Sequence, residues 1–254
     1  GTVGGVRWDI TPDVVKVIKE MVAYYRNELG AFYDVVTEDP VAKARMRHVG
    51  VLTYEEAMRY CALGPTARAS GVRCDLRWSA PYADLDVVPI VPQDYFGEVH
   101  GDVFDRFLVR VLELYQSLDI IEKIIDGLPE GDIVFEKNLV KVLNILKAAD
   151  GIGWSCIEAP RGDDTHVISL KGGDEHVFWW KVRAPTYANA VSWPLMFRGN
   201  ELADAPLIIN SVDPCISCME RTLVTGCSHK AGQVYSKNQL LEMCRDKTRR
   251  LRMA

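Results

Sequence analysis

Apolar residues recur three and four apart through much of the first 150 positions and then begin to alternate. Behind Thr11 and Pro12, Val14, Val15, Ile18, Met21, Val22 and Tyr25 fall near helical spacing. Proline is tolerated in the first turn of a helix, so this pair reads as a helix start. In "TYEEAMRYCALG", Thr53 is followed three residues later by Glu56, the signature of a capping box. "GPTARASG" (64–71) reads as a loop of small residues. "GDVFDRFLVRVLELYQSLDIIEKIIDGLPEGD" predicts the strongest helix, about 25 residues long and ended by Gly127 and Pro129. "FEKNLVKVLNILKAADG" predicts another helix. After Gly151, β-branched and aromatic runs separated by glycine turns predict a small sheet. "ANAVSWPLMFRGNELADAPLIINSV" then returns to helix and loop. The pattern predicts an α+β fold, mainly helical.

Composition narrows the function. With 254 residues, 48% of them apolar, the chain can bury a sizeable core in one large or two small domains. A net charge of -5 gives no reason to expect nucleic acid. No apolar run approaches the roughly 20 residues of a membrane span, and the start lacks a signal-peptide pattern. Any membrane association is therefore expected through partner subunits. The Met-less, glycine-rich opening "GTVGGVRWDI" reads like the middle of a longer protein.

Seven cysteines, an odd and irregularly spaced set, argue against a secreted disulfide framework and for a reducing compartment. Cys61, Cys74 and Cys156 read most simply as core thiols. Cys215 and Cys218 in "NSVDPCISCMERTLVTGCSH" form the single Cys-x-x-C. Four readings are open. The thiols are merely buried; they exchange disulfides, although the βαβ context of that chemistry is missing; Cys215, Cys218, Cys227 and His229 bind zinc; or Pro214 sets a turn that offers two thiolates to a soft metal or a metal pair. Asp213, beside them, can steer a cation or accept a proton.

Four stretches carry a resemblance. "GPTARASG", "EAPRG", "KVRAPTYAN" and "DPCISCMER" occur in the order and approximate spacing of the large subunit of [NiFe]-hydrogenases. The chain most resembles the membrane-bound, energy-converting group related to formate hydrogenlyase complexes. The quinone-site large subunit of respiratory complex I is a relative that shares the first two motifs and does not normally keep the cysteine pairs. The resemblance runs from Gly4 to about Arg221 and implies the C-terminal part of a [NiFe]-hydrogenase large-subunit fold.

The resemblance implies a nickel-iron centre whose iron carries CO and cyanide, held by two Cys-x-x-C pairs. Cys215 would be a terminal nickel thiolate and Cys218 a bridging one. Arg161 resembles the arginine above the open metal position. Asp213 resembles its acidic partner, and a buried arginine needs such a partner. Pro185 and Thr186 resemble the residues beside the cyanides. His166 is a candidate proton relay, although a structural histidine is the simpler reading. Glu158 would pair with a nearby arginine, and Arg68 with a buried acid or another subunit. The implied activity is reversible interconversion of H2 with protons and electrons, coupled to ion translocation by membrane subunits. Iron-sulfur clusters would sit in a small partner subunit, and the complex would lie on the cytoplasmic face of the membrane.

Two departures follow. The partner Cys-x-x-C is missing, which implies a fragment or a split subunit whose second chain carries that pair. The chain also continues past the motif, whereas the family often removes such an extension after the basic residue, here between Arg221 and Thr222. Residues 1–221 would then be the hydrogenase-like domain and 222–254 a pro-segment. Alternatively, the tail, with seven Lys/Arg against two acids, docks an acidic partner or a membrane surface. The rival readings are a quinone- or sulfur-reducing subunit without a nickel-iron centre, and a zinc-binding assembly module.

Overall fold

The computed structural model describes residues 3–81, 85–174, 176–219 and 236–253. It divides into two compact units, Gly1–Pro214 and Cys215–Ala254.

The first unit is built on two long helices. Helix α1 (Pro12–Glu38) starts at the expected Thr-Pro, although the Thr11 side chain makes no capping bond. A short α2 (Pro40–Met46) follows, capped by Asp39. Helix α3 (Tyr54–Arg59) carries the full Thr53–Glu56 capping box. Residues 64–71 correct the sequence reading, because Gly64–Ala69 is a helix, α4. Gly and Pro break helices in isolation, but here Pro65 sits in the first turn and the small side chains let α4 pack on the next long helix. Two single-turn helices, α5 (Leu76–Ser79) and α6 (Gln93–Phe96), lead to α7 (Val103–Asp126).

Helix α7 is 24 residues long and ends at Gly127, close to expectation. Asp102 caps it, accepting from Asp105 N at 2.9 Å and from His48 N at 2.8 Å. It packs antiparallel to α1, with Lys19 paired to Asp126 and Arg26 to Asp119 and Glu122. Val22 of α1 is buried, whereas Val14, Met21 and Tyr25 remain exposed, so the apolar stripe is wider than the covered face. The core runs from Leu52 and Ala57 through Ala67 and Val103 to Met196, Ile208 and Val212.

Helix α8 (Leu139–Ala148) precedes a three-stranded antiparallel sheet of β1 (Gly151–Ala159), β2 (Gly162–Leu170) and β3 (Trp179–Arg183), in that order. Ala159 pairs with Gly162, so "EAPRG" is a hairpin whose two-residue turn is Pro160–Arg161. The chain continues through α9 (Pro185–Ala190), α10 (Trp193–Met196) and α11 (Ala205–Ser211). Cys74 packs against the core and Cys156 is half-buried, but Cys61 corrects the core-thiol reading. It is exposed, because it follows α3 in a left-handed turn with φ 52°.

In the second unit, Ser217–Met219 forms a 3-10 turn and Lys237–Met253 a helix, α12. Arg221, Thr222, Cys227 and His229 lie outside the described residues, and with them the processing junction and half of the zinc set. No helix among the described residues is long and apolar enough to cross a membrane.

Candidate functional site

Three of the motifs meet in space. Gly64 opens α4 with φ 59°, and a Cβ there would lie 2.5 Å from the Arg161 carbonyl and from Gly162 Cα. Asn189 of α9 ties the junction together. Its Oδ1 accepts from Leu63 N at 2.8 Å, and its Nδ2 donates to Leu63 O at 3.3 Å and to Arg161 O at 3.2 Å. The turn that carries Arg161 is thus fixed from two sides, by the backbone of Gly64 and by the side chain of Asn189.

Arg161 donates from Nε to the Asp213 carbonyl at 2.5 Å and from Nη2 to Asp213 Oδ1 at 2.9 Å. Asp213 follows the last turn of α11 with φ 56°, its N–H bonded to Asn210 O at 2.9 Å. Aspartate is one of the few residues with a side chain that visits this region. Opposite Arg161 stands Arg110 of α7, whose Nη1 is 3.8 Å from Asp213 Oδ2 and whose Nη2 donates to Ser211 O at 3.3 Å. Burial pulls the Arg110 guanidinium below its ordinary range, while Asp213 and Glu113 oppose that pull.

A second charged cluster adjoins the first. Arg68 is fully buried and donates to Glu113 at 2.5 Å, to Glu158 at 2.9 Å and to the Cys74 carbonyl at 2.9 Å. Burial works against its charge, but Glu113 and Glu158 outweigh burial and hold it above its ordinary value. Glu158 also accepts from Leu76 N at 3.0 Å, and burial nevertheless pushes its carboxyl up. Asp75 accepts from both Nε and Nη2 of Arg77, at 3.0 and 2.7 Å. The two clusters line one cleft of about 410 Å³, which includes Arg68, Arg110, Glu113, Glu158 and Asp213. Chemically, this is a cleft walled by fixed charges of both signs together with Pro65, Leu114, Ala159 and Pro160. Arg161 is linked to this cleft through its bonds to Asp213, which leave its Nη1 unused toward that residue.

The other sequence-predicted residues lie as follows. Pro185 and Thr186 are buried at the start of α9, four and three residues before Asn189. His166 lies on β2, where its Nδ1 accepts from Trp180 Nε1 at 3.1 Å and its Nε2 contacts Asp164 at 3.2 Å. No hydrogen bond among the described residues joins it to Arg161 or Asp213. Cys215 and Cys218 share one tight turn, with Cys218 N donating to Cys215 O at 3.1 Å, and Cys215 Sγ is 3.1 Å from Ser217 Oγ. Asn189, Arg110 and Glu113 were not found from sequence. A signal existed for the last two. Asp102, Arg106, Arg110, Glu113 and Ser117 recur at helical spacing along α7, a polar stripe that reads as solvated.

Comparison with known proteins gives a consistent picture. The family described as respiratory-chain NADH dehydrogenase, 49 Kd subunit, matches residues 1–221. The membrane-bound hydrogenase subunit alpha of Pyrococcus furiosus is 39% identical over 255 residues, 98% of this chain and 59% of that protein. Formate hydrogenlyase subunit 5 of Escherichia coli is 34% identical over 94% of this chain and 40% of its own length. A subunit of the membrane-bound sulfane sulfur reductase, described as an archaeal respiratory membrane complex, superposes with a TM-score of 0.76 at 32% identity, over 86% of this chain and 58% of that one. The chain therefore spans between two fifths and three fifths of the length of these relatives.

Proposed function

Because the chain belongs to the family of the 49 Kd subunit of respiratory-chain NADH dehydrogenase, an oxidoreductase family, we propose that it forms the C-terminal part of the catalytic large subunit of a membrane-bound [NiFe]-hydrogenase. The proposed reaction interconverts H2 with two protons and two electrons. The observation that carries the proposal is the intact "DPCISC", with Asp213 bonded to Arg161 at two points. The 39% identity to a membrane-bound hydrogenase subunit supports it.

The donor set suits one half of such a centre. Two thiols on one turn can chelate a soft metal. No group of three or more His, Cys, Asp or Glu side chains fit for a metal occurs among the described residues. Cys215 and Cys218 would supply two thiolates, and a segment or chain bearing the second Cys-x-x-C the others. The centre, when bound, supplies H2 cleavage and takes the electrons. This chain's own contribution is to orient and to handle protons. The bonds of Arg161 to Asp213 hold its guanidinium in one orientation. By the same resemblance, Pro185 and the buried Thr186 would stand beside the ligands of the centre. Electrons would leave through an iron-sulfur partner, with membrane subunits translocating ions. Removal of the extension after Arg221 belongs to the same proposal.

A second reading draws on the sulfane sulfur reductase likeness, namely a sulfur-reducing subunit of the same fold without nickel. Assays on the intact complex separate the two. H2-driven reduction of a viologen dye is the result expected. Sulfane sulfur reduction without H2 turnover would replace the first reading with the second.

A further inference from the structure

We propose that Arg110 is a positioning residue that fixes Asp213 for Arg161. Two arginines of α7, one helical turn apart, both reach the last turn of α11. Arg106 is fully buried, and all three of its nitrogens are engaged, by Ser211 Oγ at 2.8 Å, Gly101 O at 2.8 Å and Gly50 O at 2.7 Å. It anchors Ser211 to the loop carbonyls of Gly50 and Gly101, and none of these bonds goes to Asp213. Arg110 has that capacity. Its Nη2 holds the Ser211 carbonyl at 3.3 Å and its Nη1 faces Asp213 Oδ2 at 3.8 Å.

The division of the carboxylate is the central point. Arg161 takes Oδ1 together with the backbone carbonyl of Asp213, and Arg110 faces the other oxygen. With Arg161 hydrogen-bonded to one oxygen and the Arg110 charge 3.8 Å from the other, turning the carboxylate away weakens both interactions. Asp213 also sits at φ 56° immediately before Pro214, a backbone state that persists only when its surroundings over-determine it. Arg110 provides that constraint from the helix side. Without it the Asp213 carboxylate is free to turn away from Arg161.

The test uses the full complex carrying Arg110→Gln or Arg110→Lys. Its kinetic arm rests on the hydrogenase reading, whereas its exchange arm does not. In Arg110→Gln, amide hydrogen exchange at Val212 and Asp213 should rise about tenfold while α7 keeps its protection. The turnover number should fall about tenfold, with bound nickel and the KM for H2 unchanged. Arg110→Lys, which keeps the charge without the planar fork, should recover part of both. Unchanged exchange at 212–213 would overturn the proposal. So would equal loosening of α7 and α11, since Arg110 would then be a general structural support. If Arg110→Gln does not assemble, Arg110→Lys is judged by the same exchange criterion. If the wild-type complex shows no H2 turnover, the hydrogenase reading fails and the exchange result alone decides.

Discussion

Gly64 and Gly162 pack backbone against backbone. A Cβ on Gly64 would lie 2.5 Å from Gly162 N and Cα, and one on Gly162 would lie 2.8 Å from Gly64 N. Both have positive φ, 59° and 125°. The close approach locks α4 onto the hairpin that carries Arg161.

Gly64→Ala should therefore destabilise the protein by at least ~2 kcal/mol, from backbone strain plus a clash that neither backbone can relieve. Gly97→Ala is the control, since its φ is 76° with nothing within 4 Å of the added Cβ. It should cost about 1 kcal/mol. Denaturant unfolding of the three proteins compares them, and equal losses would show that the interlock contributes nothing.

Arg68→Met should cost ~3–5 kcal/mol, because it strands Glu113 and Glu158 beside an apolar side chain. Adding Glu158→Gln should restore part of that loss. A double-mutant cycle measures the coupling. Strict additivity would show that the pair at 2.9 Å is not energetically linked.

Asp75 gives a pH prediction. Burial raises its carboxyl, but the bonds from Arg77 and the charge of Arg68 prevail, so its folded value lies below the ordinary 3.8. A depressed carboxylate contributes stability that is present above the unfolded value and lost as the pH falls through the folded one. Asp75→Asn should therefore be clearly less stable than wild type at pH 7, and the gap should shrink below about pH 3.8. A gap that stays constant across that range would contradict the assignment.

Arg161→Lys should retain the fold and the bound nickel, yet lose tenfold or more in H2 turnover. Lysine keeps the charge but cannot serve the Asp213 carbonyl and Oδ1 together from a planar fork. Near-normal turnover in a dye-linked assay would remove Arg161 from the reaction.

What the sequence revealed tracks how local each signal is. The Thr53–Glu56 box, the Thr11–Pro12 start and the Gly127 stop each act within one turn of helix, so they were legible. Helix α4 was not, because its six residues owe their form to packing against α7 and to the contact with Gly162. The burial of the polar stripe of α7 was not legible either, for the same reason. Arg106 has the spacing of a solvated face, and only α11 and the loop carbonyls of Gly50 and Gly101 show that it is buried. The pair Arg161 and Asp213, 52 positions apart, was suggested by resemblance rather than by any periodicity.

Nickel content of the intact complex tests the central claim most directly. Nickel is the informative metal, since iron also enters with iron-sulfur clusters. Wild type should bind nickel, and Cys218→Ser should lose it while the chain remains folded and assembled. A wild-type complex without nickel, or a Cys218→Ser complex that keeps its full nickel content, would contradict the account.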